Sequence, residues 1–307
     1  EPQFRDYVIA PFCAEYARGR TPNPCLACNR EMKFHFLLNK MLALGADYLA
    51  TGHYARIESL RQALRSESRQ GEYQLLKGID PAKDQSYVLY MLGQQALSHL
   101  LLPVGHYAKT EVRRLAAEFG LPVSAKPDSQ EICFLPDGDY RPYLEPNYSS
   151  SPGEIVDGEG HVLGKHKGIP FYTVGQRRGL GLSSPYPLYV LEIDAARNLL
   201  VVGSEGALYS RCLQASNVSW VSGEVPLPGS KILAKIRYRS AESPATIWTE
   251  GDTALVHFER PQRAIAPGQA VVFYEGDVVL GGGTIDSVVK DIPRERTRNV
   301  PVVSARP

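Results

Sequence analysis

From about Pro142 onward the chain has no helical period long enough to build a helix, and turn residues recur every few positions (PNYSSSPGE, VDGEG, GKHKG, RRGLGL). Between the turns lie short extended runs: PLYVLEI and LLVVG, then KILAKIRYR, ATIWTE, TALVHFE and AVVFYEGDVVLGGGTI, the later ones with partial alternation. Strands of that length and spacing close into small barrels. Two mostly β modules are therefore expected, a small central one over 141–209 and a β-barrel over 210–289. The tail 290–307, KDIPRERTRNVPVVSARP, is basic, proline-bearing and of disordered composition.

The first 140 residues follow a different grammar, that of an α/β domain. Phe4, Val8 and Phe12 are spaced as the latter part of a helix; Phe34, Leu37, Leu38, Met41 and Leu42 keep the same period, with Gly45 as a left-handed stop. The apolar stretch DYLATGHY then reads as a buried strand. In such units ligand-binding groups gather beyond the carboxyl ends of strands, where Gly52 and His53 fall. A polar excursion, SLRQALRSESRQGE, connects to a strand at YQLLKG. DPAKDQSYVLYML predicts a helix capped by Asp80 with Pro81 at its first position. TEVRRLAAEFG predicts another, capped by Thr110, stopped by Gly120, with Val112, Leu115, Ala116 and Phe119 as its apolar face. Val8, Phe12, Leu115 and Phe119 are assigned to the core.

With 307 residues, 43% of them hydrophobic, the chain can form two or three cores. No apolar run approaches the roughly 20 residues of a membrane span, and EPQFRDYV is not a signal peptide. Five cysteines are odd in number and too sparse for a disulfide scaffold, which favours a reducing, cytoplasmic compartment. A net charge of +1 predicts no general attraction to nucleic acid and leaves RNA contact to local basic patches; neither DNA nor a membrane is expected as a partner. The first residue is Glu1, and the opening helix is already under way, so the sequence reads as one whose beginning is missing.

Chemistry concentrates in TPNPCLACNREMKF, Thr21 to Phe34. A lone CxxC is compatible with zinc, iron–sulfur, redox or incidental roles. No second closely spaced pair supplies a structural zinc site, and the preceding prolines do not fit a thioredoxin-type turn. Cys25 and Cys28 precede a helix expected to start near Asn29, where the dipole favours a thiolate. Cys133, in KPDSQEICF, is a third thiol that could join them; equally, all three could be small buried hydrophobes. Gln176, Arg177 and Arg178 form a basic turn between glycines, suited to phosphates. Arg237 and Arg239 are expected on one face of a barrel strand with Tyr238 opposite. Cys13 and Cys212 have no supporting pattern and are taken as structural.

The blocks GRTPNPCLACNREMKF, LGADYLATGHYARI, DPAKDQSYVLYML, KPDSQEICF, YTVGQRRGLG, KIRYRS and PGQAVVFYEGDVVLGGG, in that order, resemble the bacterial tRNA-specific 2-thiouridylase family. The resemblance implies an ATP-pyrophosphatase α/β domain, a small central domain and a carboxyl-terminal β-barrel. It implies adenylation of the wobble uridine C2 oxygen by ATP with Mg2+, then sulfur transfer from a Cys133 persulfide charged by a donor protein. Cys28 is the partner thiol, forming a disulfide in a cluster-free scheme. Asn23, Pro24 and Cys25 border the target base, and Gly52 meets the nucleotide. His53, Lys83, Asp84, Gln85, Gln176, Arg177, Arg178, Arg237, Tyr238, Arg239 and Gln269 meet tRNA.

Two departures stand out. The family's SGGVDSS-type phosphate loop does not occur here, which would leave this chain alone inactive. Cys25 stands where many members have aspartate, so three cysteines resemble the branch proposed to hold a [4Fe–4S] cluster on Cys25, Cys28 and Cys133. Cluster and cluster-free chemistry both stay open. The competing class is an RNA-binding fragment without chemistry.

Overall fold

The structure, a computed structural model, describes residues 2–60, 73–126, 132–135, 140–144 and 151–289. The Phe4, Val8, Phe12 spacing produces helix α1, built of Pro2–Phe4, Arg5–Ile9 and Ala10–Ala17, which buries Val8 and Phe12. Helix α2 joins Pro24–Ala27, Cys28–Leu37 and Leu38–Ala43. It starts earlier than expected because Asn23, in extended conformation, accepts the Cys25 N–H on its side chain, with Pro24 at the first helical position. Its middle segment is wound as π-helix, with the Leu38 N–H reaching back five residues to the Lys33 carbonyl. Gly45, at φ +80°, ends it as predicted.

The α/β character is confined to short pieces. β1 (Leu49–Ala50) runs parallel to β4 (Leu100–Leu101), while β2 (Ala55–Ser59) and β3 (Tyr73–Lys77) form an antiparallel pair. The polar connection at 61–72 lies outside the described residues.

The helix expected over DPAKDQSYVLYML is absent; only Ser86–Val88 makes a 3₁₀ turn. Two carboxylates divert the backbone. The Asp84 side chain, buried, accepts from the Gly78 and Ser86 N–H groups and the Ser86 hydroxyl. Asp80 accepts from Ala82 N and, across space, from Lys109 N at 3.0 Å. Asp80 thus caps α3 (Lys109–Glu118), the helix for which Thr110 was expected to serve. Tyr87, Val88, Leu89 and Tyr90 are all buried, so this run crosses the core rather than lying on it with one face. Phe119 is a further correction: it is 75% exposed, and α3 buries no residue. The apolar face of α3 has a helical period but no partner element among the described residues that covers it.

In the central module β5 (Gly153–Val156), β6 (Val162–His166), β7 (Tyr189–Asp194) and β8 (Leu199–Gly203) form a sheet of order β6-β5-β8-β7 over a core of Ile155, Val190, Leu200 and Val202. The last module is a closed six-stranded barrel of β9 (Tyr209–Trp220), β10 (Ser230–Lys235), β11 (Ser243–Glu250), β12 (Thr253–Arg263), β13 (Ala270–Glu275) and β14 (Val278–Val289). Its order is β13-β10-β11-β12-β9-β14, and β13 pairs with β14 to close it. β10 ends at Lys235, so Arg237–Arg239 sit in a turn and not on a strand; the Ser240 hydroxyl accepts from Arg237 N and its own N–H donates to Arg237 O, which reverses the chain.

The barrel is not a separate bead. β3 adds to β14 at Leu76↔Val278, and Lys77 Nζ lies 2.7 Å from Glu242 and over the Tyr274 ring. No helix among the described residues is long and apolar enough to cross a membrane. The tail call on 290–307 falls outside the described residues.

Candidate active site

Cys25 and Cys28 occupy the first turns of α2, three residues apart, a spacing that puts both on one helix face. Cys133 reaches the same place from far along the chain. Leu135, 1% exposed, packs with Phe12, Cys13, Tyr16 and Leu144 against α1. Phe134 stacks edge-on to Phe12 and Tyr143, and its carbonyl accepts from the Tyr143 hydroxyl at 2.7 Å. With its two C-terminal neighbours anchored inward, Cys133 is left exposed. The alternative of three buried filler thiols is therefore wrong for this set. It does hold for Cys13 and Cys212, which are buried.

No two of the five cysteines are joined in a disulfide. Cys25 is raised by burial, by Cys133 and by Cys28, against a lowering by Lys33. Cys25 keeps exposed surface while protein walls it closely, so crowding and exposure coexist there. Cys28 is raised by burial and Cys133 and lowered by Lys33. Each of the α2 thiols thus senses Cys133, which brings the three sulfurs into one electrostatic neighbourhood. Burial thus pushes both α2 thiols up, opposite to the direction expected of a helix start, and the Cys25 N–H there is already taken by the Asn23 side chain.

The barrel fixes this loop. Gln269 Nε2 donates to Thr21 O at 2.7 Å, and Thr21 N donates to Pro267 O at 2.8 Å. Arg20 pairs with Glu15 at 2.6 Å and reaches the Ile285 carbonyl and Asp286 on β14. Gly268, at φ +90°, has room for no side chain: a Cβ would lie 2.9 Å from Thr21 N. Tyr238, from the β10–β11 turn, stands edge-on to Tyr87 at 6.1 Å and is raised by burial, then by Asp84 and Cys25, with Arg239 lowering it. Arg237 donates to the Arg263 carbonyl, which ties that turn to β12.

The other expected residues divide. Gly52, beyond β1, is exposed with open space around its Cβ position and no positive φ, so the backbone there is free to meet a ligand. His53 is only 6% exposed, set between Thr51 Oγ1 (2.8 Å) and Lys33 Nζ (3.2 Å). Burial, then Lys33, brings it down to about 4. Asp84 is spent on backbone N–H groups, and Gln85 exchanges hydrogen bonds with the Tyr54 backbone. Lys83 closes a turn onto Asp80 O. Gln176 braces its own turn, accepting from Thr173 N and donating to Arg178 O, and leaves Arg177 and Arg178 exposed. Arg177 and Tyr186 line an open cavity of about 450 Å³.

Lys33 is the site residue that sequence reasoning missed. It lies five positions after Cys28, about 140° round an α-helix; the π winding of this segment, with its i→i+5 bonds, reduces that angle.

Among the described residues no group of three or more His, Cys, Asp or Glu is gathered closely enough to hold a metal ion.

Three family models match consecutive segments: tRNA methyl transferase HUP domain at 1–137, tRNA methyl transferase PRC-barrel domain at 141–204 and aminomethyltransferase beta-barrel domain at 210–285. The tRNA-specific 2-thiouridylase MnmA of Roseiflexus sp. (strain RS-1) is 50% identical over 295 residues, covering 92% of this chain and 79% of its own. The protein of that name from Heliobacterium modesticaldum is 50% identical over 291 residues (92% and 74%). That from Moorella thermoacetica is 50% identical over 293 residues (94% and 79%).

Proposed function

Because this chain belongs to the tRNA-specific 2-thiouridylase family, we propose that it replaces the C2 oxygen of a tRNA wobble uridine with sulfur carried on Cys133. The observation that carries the reading is the convergence of accessible thiols from two distant parts of the chain, Cys28 and Cys133, with the Lys33 ammonium acting on Cys28. The matched family descriptions speak of methyl transfer; paired thiols and the relatives' name favour sulfur as the transferred group.

The uracil C2 carbonyl is a poor electrophile with a poor leaving group. ATP with Mg2+, when bound, supplies adenylation of that oxygen and releases pyrophosphate, which makes AMP the group to be displaced. The exposed Gly52 backbone beyond a parallel strand fits contact with the nucleotide. A persulfide-bearing donor protein charges Cys133 with a second sulfur. That terminal sulfur forms the bond to C2 as the bond from C2 to the AMP oxygen breaks. The Cys28 thiolate then attacks Cys133 Sγ, and the sulfur–sulfur bond breaks toward the base. The products are 2-thiouridine and a Cys28–Cys133 disulfide, two electrons more oxidised than the thiols, which an external thiol reductant restores. The base is swung out of its anticodon stack to reach the thiols. Tyr238 and Arg239, on the barrel turn beside Cys25, are set to border it, and exposed Arg177 and Arg178 suit the tRNA backbone. Free thiols suit a reducing cytoplasm.

The test supplies the protein with tRNA, ATP and a persulfide donor and measures 2-thiouridine in digested tRNA. Cys133→Ser abolishes the product, and Cys28→Ser stalls with tRNA bound to Cys133 through sulfur. Undiminished thiolation by Cys133→Ser overturns the assignment. Tight tRNA binding by wild type without any product supports the binding-fragment reading instead.

A further inference from the structure

The sulfur scheme above gives no work to Lys33, yet this ammonium acts on both α2 thiols. It is held in a specific way. Lys33 Nζ lies 3.2 Å from His53 Nε2, and the other ring nitrogen, Nδ1, lies 2.8 Å from Thr51 Oγ1. An ammonium has only donors, so Nε2 accepts and the proton of the neutral ring sits on Nδ1, directed at Thr51. Phe34 packs beside the imidazole at 5.7 Å and keeps it dry. The half-buried Lys33 has no carboxylate partner among the described residues. Its neighbour Arg30 is instead paired with Glu31 at 2.7 Å.

The winding of α2 completes the argument. A π-helical segment is uncommon and concentrates at functional sites, and here it begins at Cys28 itself. Bonding to the fifth residue turns Lys33 to the side of Cys28, where an α-helix would carry it away. Among the described residues, the other titratable groups whose charge is felt at the α2 thiols are Cys133, which acts on Cys25 and Cys28, and Tyr238 of the barrel turn, which is coupled to Cys25. None of them is cationic.

We propose that Lys33 supplies the positive charge that stabilises anionic sulfur at Cys28 during transfer, and that His53, anchored by Thr51, is the positioning residue that keeps the ammonium there. This deepens the sulfur-transfer reading and rests on it for its role. The placement itself can be tested without tRNA.

The protein is alkylated in parallel with iodoacetate, an anion, and iodoacetamide, its neutral counterpart, and Cys28 modification is followed by peptide mass spectrometry. The ratio of the two rates reports the local charge. Lys33→Met lowers the iodoacetate-to-iodoacetamide ratio at Cys28 by roughly five-fold, the effect of one unit charge a few ångströms away in a wet cleft. Lys33→Arg retains most of the ratio. His53→Leu lowers it part-way, and His53→Gln, which keeps an acceptor, preserves it. Should Lys33→Met not fold by circular dichroism, Lys33→Gln carries the same comparison. An unchanged ratio in the Lys33 variants overturns the proposal whatever the thiolation assay gives. A lowered ratio in a protein that makes no 2-thiouridine leaves the charge in place and removes the sulfur-transfer role.

Discussion

Replacement of His53 by Gln tests whether a buried neutral imidazole shapes the acid stability of this protein. Burial first and the Lys33 ammonium second bring the ring down to about 4, from an ordinary histidine value near 6.5. Above pH ~6.5 the ring is neutral whether the chain is folded or unfolded, so it adds no pH dependence. Between ~6.5 and ~4 the unfolded chain takes up a proton that the folded one refuses, so stability falls as pH falls through that window. Each pH unit there costs about 1.4 kcal/mol, which makes about 2 kcal/mol at pH 5 and about 3 kcal/mol at pH 4. Glutamine keeps an acceptor for Lys33 and does not titrate. At pH 7.5 the variant is expected to be less stable than wild type by about 1 kcal/mol, from lost ring packing and a poorer bond to Thr51. Urea unfolding at pH 7.5 and at pH 5.0 measures both. The wild-type advantage should shrink by about 2 kcal/mol on acidification and reverse in sign. Two proteins whose stabilities fall in parallel would refute the placement of a neutral His53 in the core.

Gly268→Ala forces a side chain into a left-handed position against the Arg20–Thr21 backbone. A loss of about 2 kcal/mol or more is expected, with faster alkylation of Cys25 and Cys28 as their loop loosens; an unchanged melting temperature contradicts the barrel's hold on that loop. Leu135→Ala removes a side chain 1% exposed that pins the Cys133 segment to α1, and should cost about 2–4 kcal/mol in chemical denaturation. A loss well under 1 kcal/mol would mean the segment is held by something else. Arg177→Ala should weaken tRNA binding and reduce the slope of log affinity against log salt by about 0.7–0.9, as one lost phosphate contact does; an unaltered slope removes Arg177 from the interface.

Much of this architecture is legible in the residues, and the exceptions share a cause. Period-2 runs gave β10 to β14, and Gly45 and Gly120 end their helices at positive φ, because those signals act through neighbours in sequence. Asp80 caps a helix 29 residues away, so its carboxylate looked like the start of a local helix. Asp84 turned the following run aside by binding backbone N–H groups on both sides of itself. Phe119 keeps a helical period without burial because periodicity shows which face is apolar and not what covers it. At the site, the cysteine spacing and the KPDSQEICF block raised a meeting of thiols as one of the open readings. The helix start suggested a lowered thiol, whereas burial of Cys25 and Cys28, which no local spacing reveals, pushes both up. Lys33 was invisible for a geometric reason, since at α-helical spacing it points away from Cys28 and no local residue pattern announces the π winding of this segment. Gln269, which the resemblance assigns to tRNA, donates from its side chain to the Thr21 carbonyl, a contact that no pattern near Gln269 announces.

The account turns on Cys28 Sγ and Cys133 Sγ reaching each other. Mild oxidation of the Cys25→Ser protein by diamide, followed by non-reducing peptide mapping, measures this directly. A Cys28–Cys133 disulfide forming within one molecule, reversed by dithiothreitol and blocked by Cys133→Ser, is the predicted result. Both thiols alkylating readily while no intramolecular bond forms at any diamide concentration would contradict it.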